Sequence, residues 1–328
     1  MESEYIAIVG AGLAGAVLAQ RFTAAGHQVT VFEKSRGSGG RLASCRINAT
    51  SLDLGAPWFE PQSTAFKDWL LQQPDMVEWQ PNAVDFDGSP IELPVVLNQT
   101  RQSSLTRQLL QRAEFRTQTR ISRISPSSGH GVGLWDDKQL TLGGFDKAII
   151  TAPAPQALPL LPQEPDLTAC LQTIGTRPCW VAIVRTTQHS LPDVTVMQGQ
   201  HPIFARLICL NNRPGDSADS DQTLWRLEAN ADWSSIHAES PAAEVEALML
   251  TALSKIEGFQ GPAEVHRVHR WLYCTHTQPH QDAYYYNATS GIGACGDWFG
   301  NLGSESAWYS ASCLADSLLD NEFNEPAV

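Results

Sequence analysis

The chain has 328 residues and carries 35 acidic against 22 basic side chains, a formal net charge of −13. That balance argues against nucleic acid and anionic membranes as partners, and the length fits about two domains with an ample core. No apolar run reaches the roughly 18 residues of a spanning helix, no basic leader precedes the first strand, and the seven cysteines (45, 170, 179, 209, 274, 295, 313) show no metal spacing, so the expectation is a cytoplasmic protein with reduced thiols, no metal and no membrane partner.

The β-branched run at 5–9 predicts a first strand. It leads into Gly10-Ala11-Gly12-Leu13-Ala14-Gly15, and an Ala/Leu-rich stretch at 13–25 predicts a helix. A second apolar run at 28–32 ends on Glu33. This is a dinucleotide-binding fingerprint with its strand, helix, second strand and terminal acid in register. Gly10 makes the tight turn, Gly12 lets backbone approach a pyrophosphate, and Gly15 lets the helix pack on the sheet. The pyrophosphate is expected at the helix N-terminus, with Leu13 and Ala14 in that first turn. Glu33 is expected to accept a ribose hydroxyl, with Lys34 beside it. The next segment, Ser35-Arg36-Gly37-Ser38-Gly39-Gly40-Arg41, carries paired glycines and an arginine fork. It resembles the GGR motif of amine-oxidase-like flavoproteins, where this loop runs beside the FAD. Asp53-Leu54-Gly55-Ala56-Pro57-Trp58-Phe59 then reads as the turn that brings the chain back past the flavin.

The 114–150 segment alternates β-prone runs with turns, among them 129–131, and reads as a meander followed by a buried strand at 145–150. Pro153 and Pro155 end that strand and send the chain into a second domain. Further strands are expected at 176–187, 223–230 and 265–274. Ser240 and Pro241 predict the N-cap and first position of a helix reaching Ile256. The 213–222 stretch reads as an exposed loop. Ile292-Gly293-Ala294-Cys295-Gly296-Asp297 is a short strand ending in Gly-Asp. Ser304 is a candidate N-cap for a closing helix that begins with Glu305 and Ala307. This pair of features is similar to the C-terminal FAD motif of the same superfamily. There the Asp bonds the ribityl or phosphate region and the helix N-terminus faces the flavin. The expected architecture is α/β, with a discontinuous Rossmann-type FAD domain (1–66, 100–155 and 267–328) and a mixed α+β substrate domain (67–99 and 156–266).

Together, the 34–41 run, the proline-rich 151–157 exit, Trp225 to Ser234, His269-Arg270-Trp271 and Cys295 to Trp298 resemble bacterial renalase-like flavoproteins over essentially the whole chain. The resemblance implies a noncovalent FAD. It also implies a dihydronicotinamide-type substrate (2- or 6-dihydro-NAD(P)) oxidised to NAD(P)+, with O2 reoxidising the flavin to give H2O2. Two departures touch substrate-facing loops: Leu210 to Asp216 lacks the lysine that relatives carry, and Pro57-Trp58-Phe59 stands where relatives often have Gln-Tyr-Phe.

Hydride transfer from a dihydropyridine needs stacking, orientation and exclusion of water rather than a strong base. His269 and Trp271, two residues apart on a strand, share one face and are the candidate catalytic pair, with Trp58 and Phe59 as further candidates. None of the five lysines (34, 67, 138, 147, 255) lies on a strand expected to reach the flavin, which disfavours a lysine-dependent amine oxidase. An amine-oxidase-like or desaturase-type enzyme and a non-catalytic FAD-binding protein remain as alternatives. A monomer or weak dimer is expected.

Overall fold

A computed structural model describes residues 2–47, 50–126, 131–161, 164–186, 193–215, 223–259 and 261–324. Two large sheets organise the chain. The first has six strands in the order Tyr285–Asn287, Ile292–Ala294, Lys147–Ile150, Tyr5–Val9, Gln28–Phe32 and Glu114–Arg116. All neighbours are parallel except the outer pair, Tyr285–Asn287 against Ile292–Ala294. Tyr5–Val9 is buried on both sides, so its apolar run does not alternate. The chain leaves it for Gln28–Phe32 on one side and later fills the other side. Gly10 therefore sits at a topological switch point, where open α/β sheets bind ligands.

One face of this sheet is covered by the helices Leu13–Ala24, Ser103–Leu109 and Ser304–Asn324, with Phe22, Leu105, Ala311 and Leu314 in a shared core. The other face carries the expected meander, Ile121–Pro126, Val132–Asp136 and Thr141–Phe145, together with Pro165–Thr173. The expected turn at 129–131 lies mostly outside the described residues.

The second sheet has seven strands in the order Ala263–His276, Thr176–Thr186, Thr223–Ala229, Phe204–Cys209, Val196–Gln198, Ala83–Val84 and Pro90–Ile91. Its back face packs Trp180, Trp225 and Leu227 against the helices Ala231–Ile236 and Ala242–Leu253. Its front face packs Cys179, Val181 and Ile208 against Leu52, Leu54 and Trp58. This front face is where the second sheet meets the first half of the chain.

Several expectations shift. Ala263–His276 is a single strand of the second sheet, so a boundary at 267 falls inside it. The 67–99 segment is shared: Leu70, Met76 and Val96 join the first core, while Ala83–Val84 and Pro90–Ile91 pair in the second sheet. Pro241, not Ser240, caps Ala242–Leu253, and Ser304 is the first residue of its helix rather than the cap. Arg213 is buried rather than exposed, because Asp53 draws it inward; residues 216–222 of that expected loop lie outside the described residues. No helix among the described residues is long and apolar enough to cross a membrane.

Candidate active site

The three glycines of the first turn differ in what surrounds them. Gly10 has φ of +113°, a region that favours glycine, and its amide donates to the Phe32 carbonyl at 2.9 Å. A Cβ on Gly15 would lie 2.0 Å from the Gly10 carbonyl oxygen, so this position needs glycine for helix and turn to touch. A Cβ on Gly12 would meet nothing within 4 Å. Open space therefore lies beside the N-terminus of Leu13–Ala24, whose N-cap Gly12 offers no side chain to the first amides. The side chains of Leu13 and Ala14 turn into the core, so only their backbone can serve a ligand.

Glu33 follows the second strand and is nearly buried. Its Oε2 accepts the Ala11 amide at 3.0 Å and its Oε1 accepts the Ser35 amide at 2.8 Å. The carboxylate thus braces the glycine turn, with lone pairs left for a ribose. Lys34 is turned to Gln156, its Nζ donating to Oε1 at 2.6 Å.

The Gly39-Gly40-Arg41 loop closes on the first turn. Gly39 donates to the Ala11 carbonyl at 2.8 Å, and a Cβ on Gly40 would lie 3.3 Å from the Gly12 Cα. Arg41 forks onto Asp297, with both N–O distances 2.6 Å, and donates to the Cys274 carbonyl at 3.1 Å. Burial alone would raise the Asp297 carboxyl, but the Arg41 charge and bonds from His276 and Arg41 hold it well below the usual carboxylate range. Gly296 donates to the Ser310 hydroxyl at 3.0 Å, fixing the Gly-Asp turn on the closing helix. At that helix's start, Glu305 accepts the Gln62 amide at 2.6 Å and Ala307 faces the first core.

The Asp53 to Trp58 segment runs between these parts. Ala56 donates to the Arg41 carbonyl at 2.8 Å, and a Cβ on Gly55 would lie 2.0 Å from that same oxygen. The far side of the segment is held by the second sheet. Trp271 donates from Nε1 to the Leu54 carbonyl at 3.2 Å, and Arg226 donates to the Gly55 carbonyl at 2.9 Å. Buried Arg213 pairs with buried Asp53 at 2.8 Å. Gln102 takes the Pro57 carbonyl at 2.8 Å. Trp58 is buried, its Nε1 donating to Glu60, with the Arg206 guanidinium 5.4 Å from its ring centroid.

His269 and Trp271 do share a face, opposite Val181 and Cys179, with ring centroids 4.5 Å apart in an edge-on contact. Burial, and then the Arg267 charge, lower the His269 imidazole below its ordinary range, so it is neutral at pH 7. Phe59 corrects the expectation. It is buried in the first core, 5.9 Å from the Phe66 ring centroid, and cannot face a substrate. The five lysines are engaged elsewhere or exposed: Lys34 bonds Gln156, Lys67 pairs with Glu78, Lys147 with Glu4, and Lys138 and Lys255 are exposed.

Sequence reasoning put Arg226 on a strand of the second domain, as found, but it did not single out Arg206, put Arg213 in an exposed loop, and missed the role of His276, which is buried with Nε2 3.2 Å from Asp297 Oδ2. Arg206 and Arg226 both reach Glu228, at 3.4 and 2.5 Å. The alternation Trp225-Arg226-Leu227-Glu228 was the available signal, but it reads equally well as a strand with a solvated polar face. Arg177 and Arg185, on a neighbouring strand, do take surface partners, Asp232 and Glu264.

The residues present fit a dinucleotide. An open cradle at Gly12 and uncapped helix amides supply donors for phosphates, and a buried acid supplies an acceptor for a ribose. Comparison with known proteins agrees. Residues 8–72 match the NAD(P)-binding Rossmann-like domain, and residues 75–295, about two thirds of the chain, match flavin containing amine oxidoreductase. Among solved structures, a candidate protoporphyrinogen oxidase from Exiguobacterium sp. 255-15 superposes with TM-score 0.74 at 16% identity, over 98% of this chain and 100% of that one. Putrescine oxidase bound to putrescine gives 0.70 at 12% identity, over 97% and 99%. These likenesses concern the fold. A 4,4'-diapophytoene desaturase (4,4'-diaponeurosporene-forming) of Staphylococcus haemolyticus (strain JCSC1435) is 35% identical over 79 residues, 21% of this chain and 16% of the relative's length. With two thirds of its length matched to the family's own pattern and the cradle in place, the chain belongs to the flavin-containing amine oxidoreductases.

Proposed function

We propose that the protein is an FAD-dependent oxidase, holding its FAD noncovalently and taking a hydride from a dihydronicotinamide isomer, 2- or 6-dihydro-NAD(P), to release NAD(P)+. The observation that carries this reading is the wall opposite the dinucleotide cradle. It offers an oriented Trp271–His269 pair backed by buried arginines and no lysine. When bound, the flavin supplies the two-electron chemistry, accepting a hydride and passing the electrons to O2, which becomes H2O2.

The chain's own work is positioning. The Trp271 ring is fixed by its bond to Leu54 and offers a plane against which a pyridine ring stacks. Neutral His269 is suited to hydrogen-bond a carboxamide without introducing a charge. Arg267, two residues further along the same face and exposed, suits the phosphates of such a substrate. Burial of Trp58 and the clamped 53–58 segment keep water from the reacting carbon. The cytoplasm, with its nicotinamide pool, is the compartment this substrate implies.

The local match to a desaturase favours a second reading, oxidation of an apolar polyene. Against it stand Arg206, Arg213 and Arg226, charged groups behind the wall that a polyene cavity would not need. Anaerobic stopped-flow decides. Dihydronicotinamide isomers should bleach the flavin and O2 should restore it. His269→Ala and Trp271→Ala should slow bleaching about 10- to 100-fold, with flavin content intact. A flavin indifferent to these isomers, or one reduced by a polyene, overturns the proposal.

A further inference from the structure

The second sheet holds a pair of thiols that the proposed reaction does not use. Cys179 lies on Thr176–Thr186 and Cys274 on the neighbouring Ala263–His276. Cys179 is paired with Trp271 and Arg177 with Thr275, so two residues of one strand step face four of the other. This irregularity turns Cys274 onto the same face as Cys179, and both side chains pack in the front-face cluster with Leu54 and Trp58. The two thiols are neighbours in that cluster, and the Cys179 sulfur also lies 3.5 Å from the Ala229 carbonyl oxygen. Cys274 is half-buried, whereas Cys179 is buried. The Cys274 carbonyl accepts Arg41, which ties this point of the strand to the Arg41–Asp297 pair of the cradle.

We propose that Cys179 and Cys274 are a peroxide-oxidisable dithiol that closes reversibly to a cross-strand disulfide beside the candidate substrate wall. Cys274, the more exposed of the two, is the attacking thiolate. The neighbouring Cys179 thiol, and then the Arg41 and Arg226 charges, lower its thiol against burial and the Glu228 charge. Burial instead pushes up the thiols of Cys45, Cys170, Cys209 and Cys295. In the first step the Cys274 sulfur bonds one peroxide oxygen, the O–O bond breaks, and the other oxygen leaves as water after taking a proton. In the second, the Cys179 sulfur attacks the sulfenic sulfur, the S–S bond forms and the S–O bond breaks, releasing a second water. Two thiols lose two electrons and two protons, and one hydrogen peroxide is reduced to two waters. An oxidase of the kind proposed would generate peroxide beside this pair, but the site stands on the thiols alone and is tested with added peroxide.

The flavin-loaded protein is treated with one equivalent of hydrogen peroxide, denatured, alkylated and peptide-mapped. The expected result is selective loss of alkylation at Cys179 and Cys274. A linked peptide about 2 Da lighter than the sum of its parts should appear, and dithiothreitol should reverse it. In Cys179→Ser, which removes the resolving thiol, Cys274 should instead be trapped by dimedone as a sulfenic acid. Full alkylation of both cysteines after treatment, or oxidation falling first on Cys45 or Cys313, overturns the assignment. These outcomes are independent of which substrate reduces the flavin.

Discussion

At the scale of single residues, two carboxylates carry the cradle. The place of Glu33 after the second strand leads to the expectation of a ribose acceptor. The structure adds that it already accepts the Ala11 and Ser35 amides. Glu33→Ala should therefore weaken FAD binding roughly ten- to a hundred-fold, as loss of a charged hydrogen bond worth about 1.5–3 kcal/mol. It should also lower the melting temperature of the flavin-free protein, since two amides lose their acceptor. Titration with FAD checks the first, and an unchanged dissociation constant refutes the ribose role. Asp297 gives a pH signature. Its folded-state pKa is depressed, so its contribution is present above the unfolded value of about 3.9 and is lost as pH falls below it. Asp297→Asn should cost about 2–3 kcal/mol at neutral pH by leaving the Arg41 fork half-paired. The gap from the parent should narrow as pH falls below about 4. Unfolding midpoints measured against pH test this, and a gap that stays constant into acid would mean that Asp297 is not held ionised.

At the scale of elements, the first turn and its helix separate two roles that one motif combines. Gly15→Ala places a methyl 2.0 Å from the Gly10 carbonyl oxygen, so helix or turn must move, at about 3 kcal/mol. Gly12→Ala meets nothing within 4 Å and keeps an ordinary φ of −77°, so the flavin-free fold should change by no more than about 1 kcal/mol while flavin uptake falls. Thermal unfolding and flavin titration of the two variants distinguish them. If Gly12→Ala binds flavin at parent affinity, the open space beside Gly12 is not the pyrophosphate site. The strand Ala263–His276 shows how alternation works at this scale. It sends His269 and Trp271 to the front and Arg270 over the Trp180 ring at the back.

At the scale of the whole molecule, the two sheets are joined through the 53–60 segment. Asp53 is fully buried and accepts the Ser44 hydroxyl and the Gln102 amide as well as Arg213. Asp53→Asn leaves a buried guanidinium without its counter-charge, which should cost about 3–5 kcal/mol. Replacing both partners, Asp53→Ala with Arg213→Leu, should recover much of that loss, because no charge is then stranded. Denaturant unfolding measures both. A single variant within about 1 kcal/mol of the parent would show that this contact does not hold the sheets together. Flavin retention should follow the same order, since the clamped segment also bonds the Arg41 carbonyl through Ala56.

What the sequence by itself determined lies in local chemistry. The run at 5–9, the glycine turn, Glu33, the 39–41 loop and the Gly296-Asp297 turn are legible because each is a short stretch whose backbone demands particular residues. The strand pattern of the meander and of Thr176–Thr186 was equally plain from its apolar runs. Short elements such as Val196–Gln198 and Ala231–Ile236 were not, since three to six residues carry too little periodicity. Only the tertiary structure decided which polar residues were spent in holding the fold. Arg213, in a Gly/Asp-rich stretch that reads as solvated, is buried because Asp53, 160 positions earlier, supplies its charge. Phe59, one residue after Trp58, turns into a different core because the chain bends at Trp58 and Phe59 then bridges to Val96. Pairings across such distances depend on how two sheets dock, and no local window of sequence records that.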